Sequence, residues 1–246
     1  MEPEVKKALR CDIMRSLPLG IIDSLISTFG VLLLVRVFQA DQWAKALVVA
    51  ASPIGLLFSV VVVQLVKRSG LRVEQAICAL HLCAAFGFGI VLCLPAEIWI
   101  YTLGVFIGVG CTTNTSPLMS QVYQEQFPKE KRGQLFAYGR LSRKVMSIIG
   151  VLIGGWMLKN NSENYRYIFG ALTTASVLMA LIALQFAPTM LNQKKKSHLL
   201  VAFEHVKRDK AFKEMLISWM FLGVGNLLCM APVSYTHLTL PTTSRV

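Results

Sequence analysis

Hydrophobic residues in this chain come in blocks of about twenty separated by short polar segments, a block length set by a bilayer rather than by a globular core. A helix rises 1.5 Å per residue, so about twenty residues cross a hydrocarbon layer of about 30 Å. Six such runs stand at Leu17–Phe38, Trp43–Val66, Val73–Leu94, Ile98–Val122, Gly139–Leu158 and Tyr167–Met190, and a seventh opens near Met215. The expected fold is all-α, a polytopic transmembrane helix bundle of six spans plus a truncated seventh. The expected organisation is an N-terminal segment 1–16, a six-helix domain 17–190, a linker 191–213, and the start of a further transmembrane domain at 214–232.

Composition agrees with this reading, and charge orients it. The chain of 246 residues is 54% hydrophobic and 15% charged, where soluble domains carry about 25% charged residues. The net charge of +12 would suggest a nucleic-acid partner if it were spread over one face. It is not: seventeen Lys and Arg lie before span 1 and in alternate connections, against three on the opposite side. The positive-inside rule then places the N-terminus in the cytoplasm of a cell membrane, with a bacterial inner membrane as the expected location, and removes the need for nucleic acid. Six cysteines without a Cys-x-x-Cys pair predict neither disulfides nor a metal site. The polar start lacks the pattern of a cleaved signal peptide.

Two C-terminal segments have their own character. Leu200, Phe203 and Val206 recur at helical spacing after Lys194-Lys-Lys196, which predicts an amphipathic cytoplasmic helix over Ser197–Lys213. After Pro232 the hydropathy collapses into Val233-Ser-Tyr-Thr-His-Leu-Thr-Leu-Pro-Thr242. That string resembles the translation of an adapter used in sequencing libraries, so residues 233–246 are expected to be an artefactual tail and the chain a fragment; a natural Ser/Thr-rich tail is the alternative.

Polar residues inside the spans are the candidate chemistry, because ionisable groups are costly in a bilayer and mark functional positions. The clean apolar run Met146–Leu158 gives only about 20 Å of helix, too short to cross. Span 5 must therefore start upstream, which draws Arg140, Arg143 and Lys144 into the slab. These three share an arc of about 100°, continued by Ser147, Gly150 and Gly154. They either snorkel to the surface and pair with acids such as Asp23 or Glu130, or hold an anionic solute. Asp23 is the acid well inside span 1 and needs a partner or a proton; it is read as a structural ion pair or as a proton-coupling group. In span 4, Cys111-Thr-Thr-Asn-Thr-Ser-Pro117 places Thr112, Thr115 and Ser116 on one side. Those hydroxyls either line a solute cavity or stabilise a bend at Pro117. His81 is expected to be a satisfied packing residue, and the Gly104-x-x-x-Gly108 and Gly150-x-x-x-Gly154 spacings to allow close helix contact.

Six spans, a basic connector and the opening of a further helix set resemble the N-terminal half of a major facilitator superfamily transporter. The loop Val63-Gln-Leu-Val-Lys-Arg-Ser-Gly-Leu-Arg72 is similar to the family's motif between spans 2 and 3, with Arg68, Gly70 and Arg72 matching; Val63 and Lys67 replace its first glycine and its acid. Pro128-Lys-Glu-Lys-Arg-Gly133, leading into a glycine-rich span 5, resembles the family's connector there. The resemblance implies two halves rocking about a central site. It implies a secondary transporter of a small polar or anionic solute, working as a monomer when full length, with the lipid bilayer as its surroundings and no cofactor. Nucleophile elbows, His-Glu-x-x-His and phosphate-binding loops are absent from the sequence, so an enzyme is not expected. Two alternatives stay open: a membrane enzyme using Arg140, Arg143, Lys144 and Asp23, and a non-transporting scaffold.

Overall fold

The computed structural model describes residues 3–160, 164–191 and 209–239. The described residues form α1 (Pro3–Arg36), α2 (Gln42–Ser69), α3 (Val73–Cys93), α4 (Ile98–Gln126), α5 (Arg132–Asn160), α6 (Tyr165–Ala183) and α7 (Lys210–Thr239). The first six belong to one compact unit and α7 to a second. No strand occurs among the described residues, as the long apolar runs and the need to satisfy every backbone amide within a bilayer require.

Helix starts and stops follow local chemistry. The Asp41 carboxylate caps α2 by accepting from the Ala44 amide at 3.0 Å. At its other end Gly70, with φ +66°, turns the chain left-handed into α3. In α7, Asp209 accepts from the Phe212 amide at 3.0 Å.

Within the six-helix unit the packing partners form an open chain, α2 on α4, α4 on α3, α3 on α6, α6 on α1, and α1 on α5. Small residues set two of these crossings. On the α3–α4 interface, a Cβ at Gly87 would sit 2.8 Å from the Gly104 carbonyl oxygen and from the Gly108 amide nitrogen. Gly104 and Gly108 therefore serve packing, as their spacing predicts. On the α1–α5 interface, a Cβ at Gly154 would lie 2.6 Å from the Phe29 ring and 2.8 Å from Leu25. An aromatic core of Phe38, Tyr101, Tyr165, Phe169 and Phe88 closes the end away from the N-terminus, with Phe38 and Tyr101 centroids 4.9 Å apart.

Several sequence expectations are corrected here. The polar segment 1–16 is the first part of α1, because Val5, Ala8 and Cys11 are buried and Val5 and Ala8 pack with Phe127 and Leu135. Helix α6 stops at Ala183 instead of reaching Met190. The irregular segment that follows is held by the Val73 amide donating to the Thr189 carbonyl at 2.9 Å and by Gln126 Nε2 donating to the Ala187 carbonyl at 2.9 Å. Among the described residues, five helices, α1, α2, α3, α5 and α6, are long and apolar enough to cross a membrane. Helix α4 has the length, but the polar run in its middle lowers its apolarity, and it is packed between α2 and α3. Helix α7 begins at Lys210 and continues through Val233 to Thr239. The amphipathic helix expected over Ser197–Lys213 lies outside the described residues as far as 208.

The crossing at Gly87 gives a direct test. Gly87→Ala should lower thermal stability in detergent by about 1–3 kcal/mol, since backbone atoms face the new methyl. Gly110→Ala, whose methyl would meet nothing within 4 Å, should be neutral or stabilising through helix propensity by up to about 1 kcal/mol. Equal melting of the two variants would contradict the crossing.

Candidate functional site

A cavity of about 280 Å³ opens between the two ends of that packing chain, lined by α1, α2, α4 and α5. Helices α3 and α6 stand behind it. Three layers of chemistry meet there.

The first is a buried cluster on α1 and α4. Asp12 and Arg15 are one helical turn apart, and both are buried, at 1% and 5% exposure. Arg15 Nη2 donates to Asp12 Oδ1 at 3.3 Å and to the Tyr123 hydroxyl at 2.9 Å, while that hydroxyl donates to Asp12 Oδ1 at 2.6 Å. The three groups close a charge-assisted ring, the strong class of hydrogen bond. Gly139 of α5 lies against this ring, where any side chain would strike the Asp12 carboxylate. The Tyr123 ring is itself fixed between Phe127 and Phe136, with centroids 5.4 and 5.3 Å away.

The second is the ion pair of Asp23 on α1 with Arg143 Nε on α5. Both side chains keep about a third of their surface open, at 36% and 30%. The pair is thus reachable from the cavity, and solvent screens it. Gly20, one turn earlier, lets the Arg143 backbone approach α1 closely.

The third is an arginine and a wall of hydroxyls. The Arg140 guanidinium sits 4.7 Å from the Phe136 ring centroid and has no carboxylate within ion-pair distance among the described residues. An aromatic face holds a guanidinium in place while leaving its edge free. Opposite stand Thr112, Thr113, Thr115, Ser116 and Ser120 of α4 with Ser52 of α2.

The structure brings together Asp23, Arg140, Arg143, Thr112, Thr115 and Ser116 around one cavity. It sets Lys144 apart: that side chain is exposed and does not line the cavity, because one residue of helical rotation beyond Arg143 carries it past the α1 contact. Arg68, Gly70 and Arg72 also lie away from it. Arg68 is exposed, Gly70 makes the left-handed turn, and Arg72 occupies the N-cap of α3. His81 is fully buried, yet neither ring nitrogen has a hydrogen-bond partner among the described residues, which corrects the expectation of a satisfied residue. The Asp12–Arg15–Tyr123 cluster was not foreseen. Its signal in the sequence was an Asp and an Arg at i, i+3 directly before an apolar run, a pattern that a solvent-facing turn shares.

Breaking this cluster should be expensive. Asp12→Ala leaves a buried guanidinium without its anion, at a cost of about 3–5 kcal/mol; Tyr123→Phe removes one hydroxyl and should cost about 1–3 kcal/mol. Denaturant or thermal unfolding in micelles reads both. If Asp12→Ala proved no worse than Tyr123→Phe, the charge pairing would not be the stabilising part.

No curated protein and no solved structure matches the chain. The family model of the Major Facilitator Superfamily matches residues 16–242, from within α1 through α7. A bundle all-helical over the described residues, five helices of membrane length and apolarity, a polar cavity walled by four helices, and a family match over nearly the whole chain lead to one conclusion: the chain belongs to the Major Facilitator Superfamily and is a multi-pass membrane transporter.

Proposed function

We propose that the chain is the N-terminal part of a secondary active transporter that moves a small anionic solute by alternating access, with proton coupling at Asp23. One observation carries the reading. Two carboxylates and three guanidiniums line the cavity, both carboxylates are paired, and Arg140 is the cation left over. A site with one unneutralised guanidinium attracts an anion, and the edge of Arg140 offers the fork of donors that fits a carboxylate or phosphate. Arg143 and Asp23 supply the coupling element. When Arg143 turns to the solute or a helix moves, the pair opens, and the freed Asp23 carboxylate is the group assigned to coupling on this reading. Residues 17–190 are the transmembrane domain on this reading, 191–213 the cytoplasmic linker, and 214–232 the start of a second helical domain, with the N-terminus in the cytoplasm by the distribution of Lys and Arg.

The full-length gene product in proteoliposomes provides the test. With labelled small carboxylates on one side, Arg140→Ala should lower uptake at least roughly tenfold with an unchanged amount of folded protein, as loss of a charge-assisted hydrogen bond implies. Unchanged uptake would remove the anion site. Asp23→Asn should abolish accumulation driven by a pH gradient while leaving solute exchange at equal pH. Retained pH-driven accumulation in that variant would remove the coupling role.

A further inference from the structure

Of the five Ser and Thr hydroxyls that α4 brings to the cavity wall, four are spent as donors, and this selects the solute further. Thr112 Oγ1 donates to the Gly108 carbonyl at 2.8 Å, Thr113 Oγ1 to the Val109 carbonyl at 2.9 Å, and Thr115 Oγ1 to the Thr112 carbonyl at 2.7 Å. Ser120 Oγ donates to the Ser116 carbonyl at 3.2 Å. Each hydroxyl has one hydrogen and two acceptor lone pairs, so a hydroxyl bonded back to its own helix turns only oxygen acceptors toward the cavity. At the end of the wall the Tyr123 hydroxyl hydrogen is likewise committed to Asp12. Ser116, exposed on the same wall, keeps its hydrogen free among the described residues, so the polar surface facing the solute divides into donors on α5, from Arg140 with Arg143, and mainly acceptors on α4.

From this division we infer that the cavity takes an organic anion that carries its own hydrogen-bond donors, hydroxyl or ammonium groups, along the chain behind the charged end. The inference rests on the anion reading of Arg140 and adds the requirement set by α4. An anion without hydrogens, such as chloride, nitrate or sulfate, brings acceptors alone and leaves most of the α4 oxygens without partners. A plain fatty carboxylate brings an apolar chain and desolvates those oxygens for nothing, which costs affinity. A hydroxylated or amino-bearing carboxylate satisfies both walls at once.

Three monocarboxylates of equal chain length, gluconate, norleucine and hexanoate, and neutral glucose separate the possibilities. Each is offered as a competitor or labelled solute to the full-length protein in proteoliposomes. The expected result is that gluconate or norleucine binds or moves at least about tenfold better than hexanoate and than glucose. Gluconate above norleucine identifies hydroxyl donors, and the reverse identifies ammonium. Hexanoate equal to both would overturn the inference and leave the anion site standing. Glucose equal to gluconate would overturn the anion site itself, and failure of all four would overturn both. The variants Thr112→Val and Thr115→Val, which keep shape and remove the oxygen, should erase the preference over hexanoate while hexanoate itself is handled as before or better. Loss of handling for every solute alike would instead mark these threonines as structural, against the inference. A preference that survives both variants also counts against it.

Discussion

The close approach of α1 and α5 is the constraint from which the site follows. Four glycines permit it. Gly139 makes room for Asp12, Gly20 for the Arg143 backbone, Gly150 for Ser24, and Gly154 for Leu25 and Phe29. Without side chains at these points the two helices can run in contact over most of their length, as small-residue faces do in membranes where apolar burial gives no drive between helices. Contact at that distance brings Arg143 beside Asp23 and leaves Arg140, three residues earlier, facing the cavity from the same arc. A basic helix face could not sit in a bilayer unless something so near compensated it or water reached it. Here one arginine is compensated and the other reaches the cavity.

The electrostatics then sort by depth of burial. Asp12 and Arg15 are sealed, and three mutual hydrogen bonds with Tyr123 return much of the solvation both ions lost. Asp23 and Arg143 are only part-buried, so their pairing is a contact that can be exchanged. A sealed pair fixes helix positions and an open pair can change partner, and the two occur on one face of α1 eleven residues apart, three turns of helix. The fixed pair thus ties α1 to α4 through Tyr123, while the exchangeable pair bridges α1 and α5.

How much of this was legible depended on whether the signal was local. The apolar runs gave the six helices of the bundle, since length and hydropathy need no tertiary information. The arc of Arg140 and Arg143 with Gly150 and Gly154 followed from 100° per residue alone, and Asp23 was already a candidate partner. Lys144 was grouped with them because an arc drawn on an isolated helix cannot say where its edge meets a neighbour. The helical start of α1 was missed because its charges read as solvent-facing, whereas Asp12 and Arg15 are satisfied by Tyr123, 108 residues beyond Arg15. The end of α6 was overrun for a similar reason. Leu184, Phe186, Ala187 and Met190 extend the apolar run, but Pro188 cannot continue a helix and amide donors from Val73 and Gln126 hold the segment in another shape. The α4 hydroxyls were visible as a polar run, yet their donor direction required the folded helix.

Helices α1 and α4 face each other across the cavity and are tied at both ends. Near the end away from the N-terminus the Tyr101 hydroxyl donates to the Gly30 carbonyl at 2.8 Å, and near the other the Tyr123 hydroxyl joins Asp12. Tyr101 is buried and braced by Phe38 and Phe169. A helix pair fastened at its two ends and apart between them does not close by bending, because both fastenings sit in packed surroundings that have few alternative arrangements. On the proposed alternating access, the unit would then move as a body, with rearrangement confined to interfaces and to exchangeable contacts. Among the ion pairs of the described residues that line the cavity, the Asp23–Arg143 pair is the one open enough to change on such a motion. On the proposed function, the group that a solute anion would reach is then the group that such a motion would disturb.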